Sequence, residues 1–172
     1  ETCILVNSVC SSKVSVGKGQ TTSFILQITT NSNEAANVVN GVFLHLNAVS
    51  GLNNKVSNFD TFTVYTNPVY ELSVEVPTDW KSAEPRASIP FQIVVTNEGN
   101  SVDYVSLPSP SIPVGWLASF SESSFTLGPM QSKTIYLNID VPENVFGGEN
   151  PINAKVSSDQ SGEVIDLSFI IY

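Results

Sequence analysis

Charge is scarce in this chain: Asp, Glu, Lys and Arg make up 13% of 172 residues, and 7 basic side chains stand against 16 acidic ones. A formal net charge of -9 excludes nucleic-acid binding by phosphate neutralisation, because no basic run is present to release counterions. Anionic membrane is disfavoured as a partner for the same reason. Long apolar runs are also missing. Phe24 to Leu26 and Val42 to Leu44 fall far short of the roughly 18 residues of a membrane span, and no signal-peptide core opens the chain, so no membrane insertion is expected of this segment. Histidine occurs once and cysteine twice, without Cys-x-x-Cys spacing, which leaves zinc and redox chemistry short of ligands. None of the sixteen Asn opens an Asn-x-Ser/Thr sequon, so heavy N-glycosylation is excluded.

What is present is period-two alternation. Tyr70, Leu72, Val74 and Val76 alternate with polar residues, as do Ile89, Phe91, Ile93 and Val95, then Ile135, Leu137, Ile139 and Val141. This is the pattern of strands with one buried face. Val105 and Leu107, Trp116 to Phe120, Phe125 and Leu127, Ile152 to Val156 and Val164 to Ile171 supply further strands. Asn97-Glu98-Gly99-Asn100, Pro108 to Pro113, Gly147-Gly148 and Asp159 to Gly162 punctuate them. No ten-residue stretch shows a helical period, and the spacing of the strands predicts an antiparallel sandwich.

The chain also repeats itself. Ile4 to Gln20 lies without a gap on Gly115 to Gln131; Phe24, Leu26 and Ile28 then fall on Ile135, Leu137 and Ile139. With one residue of slippage Val42, Leu44 and Leu46 meet Ile152, Ala154 and Val156, and Phe62 to Tyr65 comes near the last strand. Up to Pro68 three bases balance three acids, and all of the net charge lies beyond it, which with the Asn67-Pro68 turn places a boundary there. The expected organisation is all-β, with two tandem immunoglobulin-like antiparallel β-sandwiches. Residues 1–68 form a partial module lacking its opening strands and 69–172 a complete one. The partial module would expose Phe24, Leu26, Ile28, Val42, Leu44 and Leu46, at a cost on the order of 10 kcal/mol. Three arrangements relieve it: the strands lie in a longer chain, another subunit donates them, or the segment rearranges into a smaller sheet.

Candidate chemistry is sparse. His45, between Leu44 and Leu46, has outward parity and no partner ligand, and reads as a surface histidine rather than a metal ligand or base. Cys3 and Cys10 would stand roughly 23 Å apart on a single strand, too far for a bridge, whereas a tight turn at Asn7-Ser8 would permit one; both arrangements stay open. No Gly-x-Ser-x-Gly elbow accompanies the many serines. Glu143 and Glu149 flank a glycine loop, and Asn97, Glu98, Asn100 and Asp103 crowd another. Such oxygens can hold Ca²⁺, but neither spacing matches a known site, and solvated loops are the simpler reading. Among Trp80, Trp116, Tyr104 and Tyr136, Trp116 has inward parity, while Trp80, placed in a loop, is the one exposed platform for sugar stacking.

Val95-Thr96-Asn97-Glu98-Gly99-Asn100, Asp103, Val105, Pro113-Val114-Gly115-Trp116, Leu127-Gly128-Pro129-Met130-Gln131-Ser132 and Val141-Pro142 together resemble a known module type. They are similar to the small β-sandwich modules appended to bacterial alpha-galactosidases and repeated in archaeal surface proteins, relatives of the cell-adhesion-related bacterial domain. The likeness covers Tyr70 to Tyr172, with the first segment a partial copy; where such modules have Pro-Gly-Glu or Pro-Gly-Gln, this chain has Pro129-Met130-Gln131. The resemblance implies a spacer or adhesion unit with no catalytic residue and no cofactor. The expected function is thus a non-catalytic extracellular structural or adhesion module of a prokaryotic, archaeal-type cell-surface protein or filament. Its partners would be copies of itself or neighbouring envelope proteins, engaged by strand complementation on Phe24, Leu26, Ile28, Val42, Leu44 and Leu46. The alternative is a carbohydrate-binding accessory domain of a secreted glycosidase, with glycans as partners through Trp80.

Overall fold

The computed structural model describes residues 2–6, 9–11, 13–29, 35–145 and 147–172. The chain divides into two compact units, Glu1–Glu34 and Ala35–Tyr172. Among the described residues every element is a strand, and no helix is long and apolar enough to cross a membrane.

The first unit holds β1 (Thr2–Val6), β2 (Val9–Ser11) and β3 (Ile25–Ile28), in one antiparallel sheet of order β2-β1-β3. Val6 pairs with Val9 and Ile4 with Leu26. The stretch holding both cysteines is therefore two strands of a hairpin rather than one strand, and Cys3 pairs with Gln27 while Cys10 pairs with Leu5. Whether the two thiols bridge falls on side chains outside the described ones. Along β3, Leu26 and Ile28 are half-buried and Ile25 and Gln27 exposed, the alternation of a sheet with one covered face.

The second unit begins with β4 (Asn37–Val49) and β5 (Ser57–Thr66), an antiparallel hairpin and a sheet of its own. Nine further strands follow: β6 (Leu72–Glu75), β7 (Trp80–Lys81), β8 (Ser88–Asn97), β9 (Asp103–Ser106), β10 (Leu117–Phe120), β11 (Ser124–Leu127), β12 (Ser132–Asp140), β13 (Asn150–Ser158) and β14 (Val164–Ile171). They form a four-stranded sheet β10-β12-β8-β6 and a five-stranded sheet β11-β9-β13-β14-β7. All pairings are antiparallel except β7 with β14, where Trp80 lies opposite Ile170 in parallel. Trp80 thus corrects its expected place in a loop: a two-residue strand has no period to read, and only the tertiary pairing creates it.

The alternation read from the sequence builds the core. Phe91, Ile93 and Val95 of β8 and Ile135, Leu137 and Ile139 of β12 project from one sheet, and Ile152, Ala154 and Val156 of β13 and Phe169 and Ile171 of β14 from the other; all are buried. Each large one removed from water stabilises the fold by about 1.5–3 kcal/mol. Phe91 and Phe169 meet between the sheets with ring centroids 4.9 Å apart, inclined at 49°. Pro90 interrupts β8 without cost to the ladder, since β6 reaches only to Val94 and the missing N–H has no strand to serve there. Every buried apolar side chain among the described residues lies between Leu72 and Ile171.

Pro68, the expected module boundary, lies inside the second unit. A set of hydrogen bonds at the Asn97–Asn100 turn holds the segment between β5 and β6 to the sandwich. Glu98 N donates to Glu71 O at 2.8 Å, Asn100 N to Val69 O at 3.1 Å, and Val69 N to Asn100 Oδ1 at 2.7 Å. Gly99 is needed there, because a Cβ would strike the carbonyl oxygen of Val69 and come within 3.1 Å of Asn97 Oδ1.

Candidate interaction surfaces

The hairpin β4–β5 is the first candidate. Its register sets Val42 against Val64, Leu44 against Phe62 and Leu46 against Asp60, so Val42, Leu44, Leu46, Phe62 and Val64 share one face. His45 lies on the other face opposite Thr61 and is exposed, with Phe43 and Phe59 beside it at 68% and 72% exposure. No described side chain of β4 or β5 is buried. A two-stranded ribbon is at best marginal alone in water, and this one carries aromatic and branched residues on both faces. Among the described residues no third strand joins it. A register shift between Asn37 and Val42 contains Gly41 at φ 61°, where a Cβ would meet Thr63 Cγ2 and lie 3.0 Å from Val64 O. A left-handed residue at a bulge adds twist to the ribbon, and only glycine takes that place without strain.

Both feet of the hairpin are tied to one residue of the sandwich. Ala36 N, just before β4, donates to Asn100 O at 3.0 Å; just after β5, Asn100 Nδ2 donates to Asn67 O at 3.2 Å and Asn100 Oδ1 accepts from Val69 N. The ribbon therefore leaves the sandwich from a fixed base. Asn100 was legible as a turn residue and not as a clamp, because its three partners are brought in from elsewhere in the chain. Phe62 and Val64 complete the Val42, Leu44 and Leu46 face, and the alternation in Phe62-Thr63-Val64 was the signal for them. Leu26 and Ile28, grouped with that face by the sequence repeat, belong to β3 of the first unit and Phe24 directly precedes that strand, so the six residues are divided between the two units.

The oxygen-rich turn is occupied with holding itself together. Asn97, fully buried, donates Nδ2 to the carbonyls of Ser101 (2.7 Å), Leu127 (3.1 Å) and Gly128 (3.1 Å), and its Oδ1 accepts from Gly99 N at 2.9 Å. Asp103, at 0% exposure and opposite Leu127, has no hydrogen-bond partner for either carboxyl oxygen. Glu143 pairs with Arg86, and Glu149 accepts from Tyr172 Oη at 3.1 Å. No three His, Cys, Asp or Glu side chains among the described residues are grouped to hold a metal ion.

Trp116 is buried in the core, and Tyr104 and Tyr136 stand exposed on the outer faces of their sheets. Trp80 is 57% exposed and has Tyr172 beside it, with ring centroids 6.2 Å apart and planes at 81°.

No family model matches the chain, and no curated protein matches it. Solved structures give partial likenesses. One is a family 123 glycoside hydrolase from Clostridium perfringens, described for glycolipid glycan hydrolysis: 13% identity, 59% of this chain, 27% of that one, TM-score 0.47. Another is a FixG-related protein from Vibrio parahaemolyticus, at 11% identity, 59% of this chain, 95% of that one and TM-score 0.44. A third is Escherichia coli alpha-2-macroglobulin activated by porcine elastase, at 11% identity, 67% of this chain, 10% of that one and TM-score 0.40. The chain spans about a quarter of the hydrolase and a tenth of the macroglobulin. Likenesses of this strength carry no argument about what the chain does.

Proposed function

We propose that the chain is a non-catalytic structural module of an extracellular, cell-surface assembly, joined to its partners by strand addition to the β4–β5 hairpin. The observation that carries this reading is the hairpin itself: two long strands, 13 and 10 residues, with no buried side chain described, held at both feet by Asn100. Natural sheets cover, charge or shorten their edges. Here Lys55 in the connecting loop and Asp60 are the only charged groups between Ala35 and Pro68, so electrostatic protection of the edges is slight. A strand laid on either edge would satisfy outward amides and carbonyls, while a second ribbon packed over Val42, Leu44, Leu46, Phe62 and Val64 would cover the apolar face. The partner is a second copy or a neighbouring envelope protein of the same β-rich kind. An extracellular setting is supported by low charge density and by the sandwich architecture.

Leu44→Asp tests the reading, because it places a charge in the middle of the apolar face and leaves the sandwich core from Leu72 onward intact. Molar mass by light scattering after gel filtration is expected to rise with concentration for the parent chain and to stay at 18.5 kDa for Leu44→Asp, with both unfolding cooperatively. A parent chain that remains monomeric at every concentration contradicts strand addition between copies. The sheet of the first unit is tested in parallel by Leu26→Asp.

A further inference from the structure

We propose that Trp80, Tyr172 and Glu149 form a binding site for a quaternary ammonium group. The site is independent of the hairpin and of the assembly it serves. It arises because β7 divides its two residues between the faces of its sheet. Lys81 turns inward, its Nζ over the Phe91 ring at 5.3 Å from the centroid and donating to Pro90 O, so Trp80 is held outward. The backbone holds the two residues side by side. Ile170 N donates to Asp79 O at 2.9 Å, Tyr172 N to Lys81 O at 3.0 Å, and Ala83 N to Tyr172 O at 3.0 Å. Trp80 and Tyr172 therefore stand on neighbouring hydrogen-bonded segments, so their backbones need no ordering on binding.

The rings are near perpendicular, at 81° with centroids 6.2 Å apart, and so present two electron-rich walls of a corner. Glu149 adds a full negative charge at its rim, fixed by the 3.1 Å hydrogen bond from Tyr172 Oη, and Asp79 precedes Trp80 in the chain. The ionisation of Tyr172 is pushed above its ordinary value by that hydrogen bond, then by desolvation and by repulsion from Glu149, so the phenol stays a neutral donor. Cations are drawn to aromatic faces, and a fully alkylated ammonium, which has no N–H to donate, is better served by ring walls than by hydrogen-bond acceptors. A neutral pyranose would stack on one ring and gain nothing from the acid charge. An ammonium attached to phosphate would meet repulsion from Glu149, so the fitting sources are free choline and a trimethylated lysine side chain.

The two tryptophans give the test its signals. In the full 172-residue chain the indole N–H resonances of Trp80 and Trp116 are followed while tetramethylammonium chloride is added, against sodium chloride at equal concentration. The Trp80 resonance is expected to move and saturate in the millimolar range while buried Trp116 stays still. Glu149→Gln should weaken binding several-fold and Tyr172→Leu should abolish it, each with Trp116 unmoved as a sign of an intact core. Choline and trimethyl-lysine then identify the source by which saturates at lower concentration. A Trp80 shift that matches sodium chloride, that methyl glucoside reproduces, or that Glu149→Gln leaves unchanged overturns the assignment.

Discussion

Asp103 offers the sharpest test of the sandwich as described. Its carboxyl group lies at the end of the core, opposite Leu127 and near the fully satisfied Asn97, at 0% exposure and with no partner for either oxygen. A buried polar group left unsatisfied costs about 1–3 kcal/mol, and more if it carries charge. Asp103→Asn keeps the shape and removes the charge, and its amide can donate as well as accept. The substitution should therefore stabilise the fold by about 1–3 kcal/mol. In a domain of this size each kcal/mol moves Tm by roughly 2–4 °C, so an increase of about 2–12 °C is expected at neutral pH. Calorimetry gives that shift directly. Urea unfolding should show the same gain as a higher midpoint at unchanged slope, which separates native-state relief from a change in the unfolded chain. Asp103→Leu should also stabilise, through added apolar burial. If Asp103→Asn instead lowers stability by about 1 kcal/mol or more, the carboxylate is a paired and useful group, and the description of this end of the core is wrong.

Three further outcomes follow from the same contacts. Asn100→Ala removes the side-chain bonds to Val69 N and Asn67 O; it should cost about 1–3 kcal/mol and speed hydrogen exchange at Val69, and an unchanged exchange rate there would show that the clamp does not hold the hairpin. Gly99→Ala drives a methyl group into the Val69 carbonyl, a backbone atom that cannot swing aside, and is expected to cost about 1–3 kcal/mol in urea unfolding, where a neutral result would mean that the turn is looser than described. Tyr172 should ionise at a lower pH in Glu149→Gln than in the parent chain, because the variant keeps an acceptor but loses the charge that opposes phenolate; ultraviolet titration of the tyrosines reads this, and a coincident pair of curves would remove Glu149 as the cause.

Much of the sandwich was legible because a strand with one buried face writes its period into the sequence. Phe91-Gln92-Ile93-Val94-Val95 and Ile135-Tyr136-Leu137-Asn138-Ile139 alternate as expected, and the residues assigned to the inner face are the buried ones. Trp116 was recognised as core by the same parity. Features that depend on convergence were not legible. Trp80-Lys81 becomes a strand only because the end of β14 passes beside it in parallel, and Tyr172 reaches Trp80 through that pairing alone. Asn100 gave a turn signal, but its hold on Ala36, Asn67 and Val69 comes from partners 31 to 64 positions away. The repeat set Val42, Leu44 and Leu46 on Ile152, Ala154 and Val156 and Phe62 to Tyr65 near the last strand, and both pairs form antiparallel ladders. The missing opening strands predicted an uncovered face at Val42, Leu44 and Leu46, but the likeness did not reveal that Phe24, Leu26 and Ile28 would fall in a different unit.

Amide hydrogen exchange along 42–49 as a function of protein concentration tests the role of the hairpin most directly. Alternate amides on this segment bond to β5, and the others point away from it. The outward set should exchange quickly in dilute solution and become protected as concentration rises, while the core amides of β8 and β12 stay slow throughout. Outward amides that exchange at one rate across the whole concentration range, in a chain whose mass does increase, would mean that association uses another surface and that the hairpin accepts no strand from a second copy.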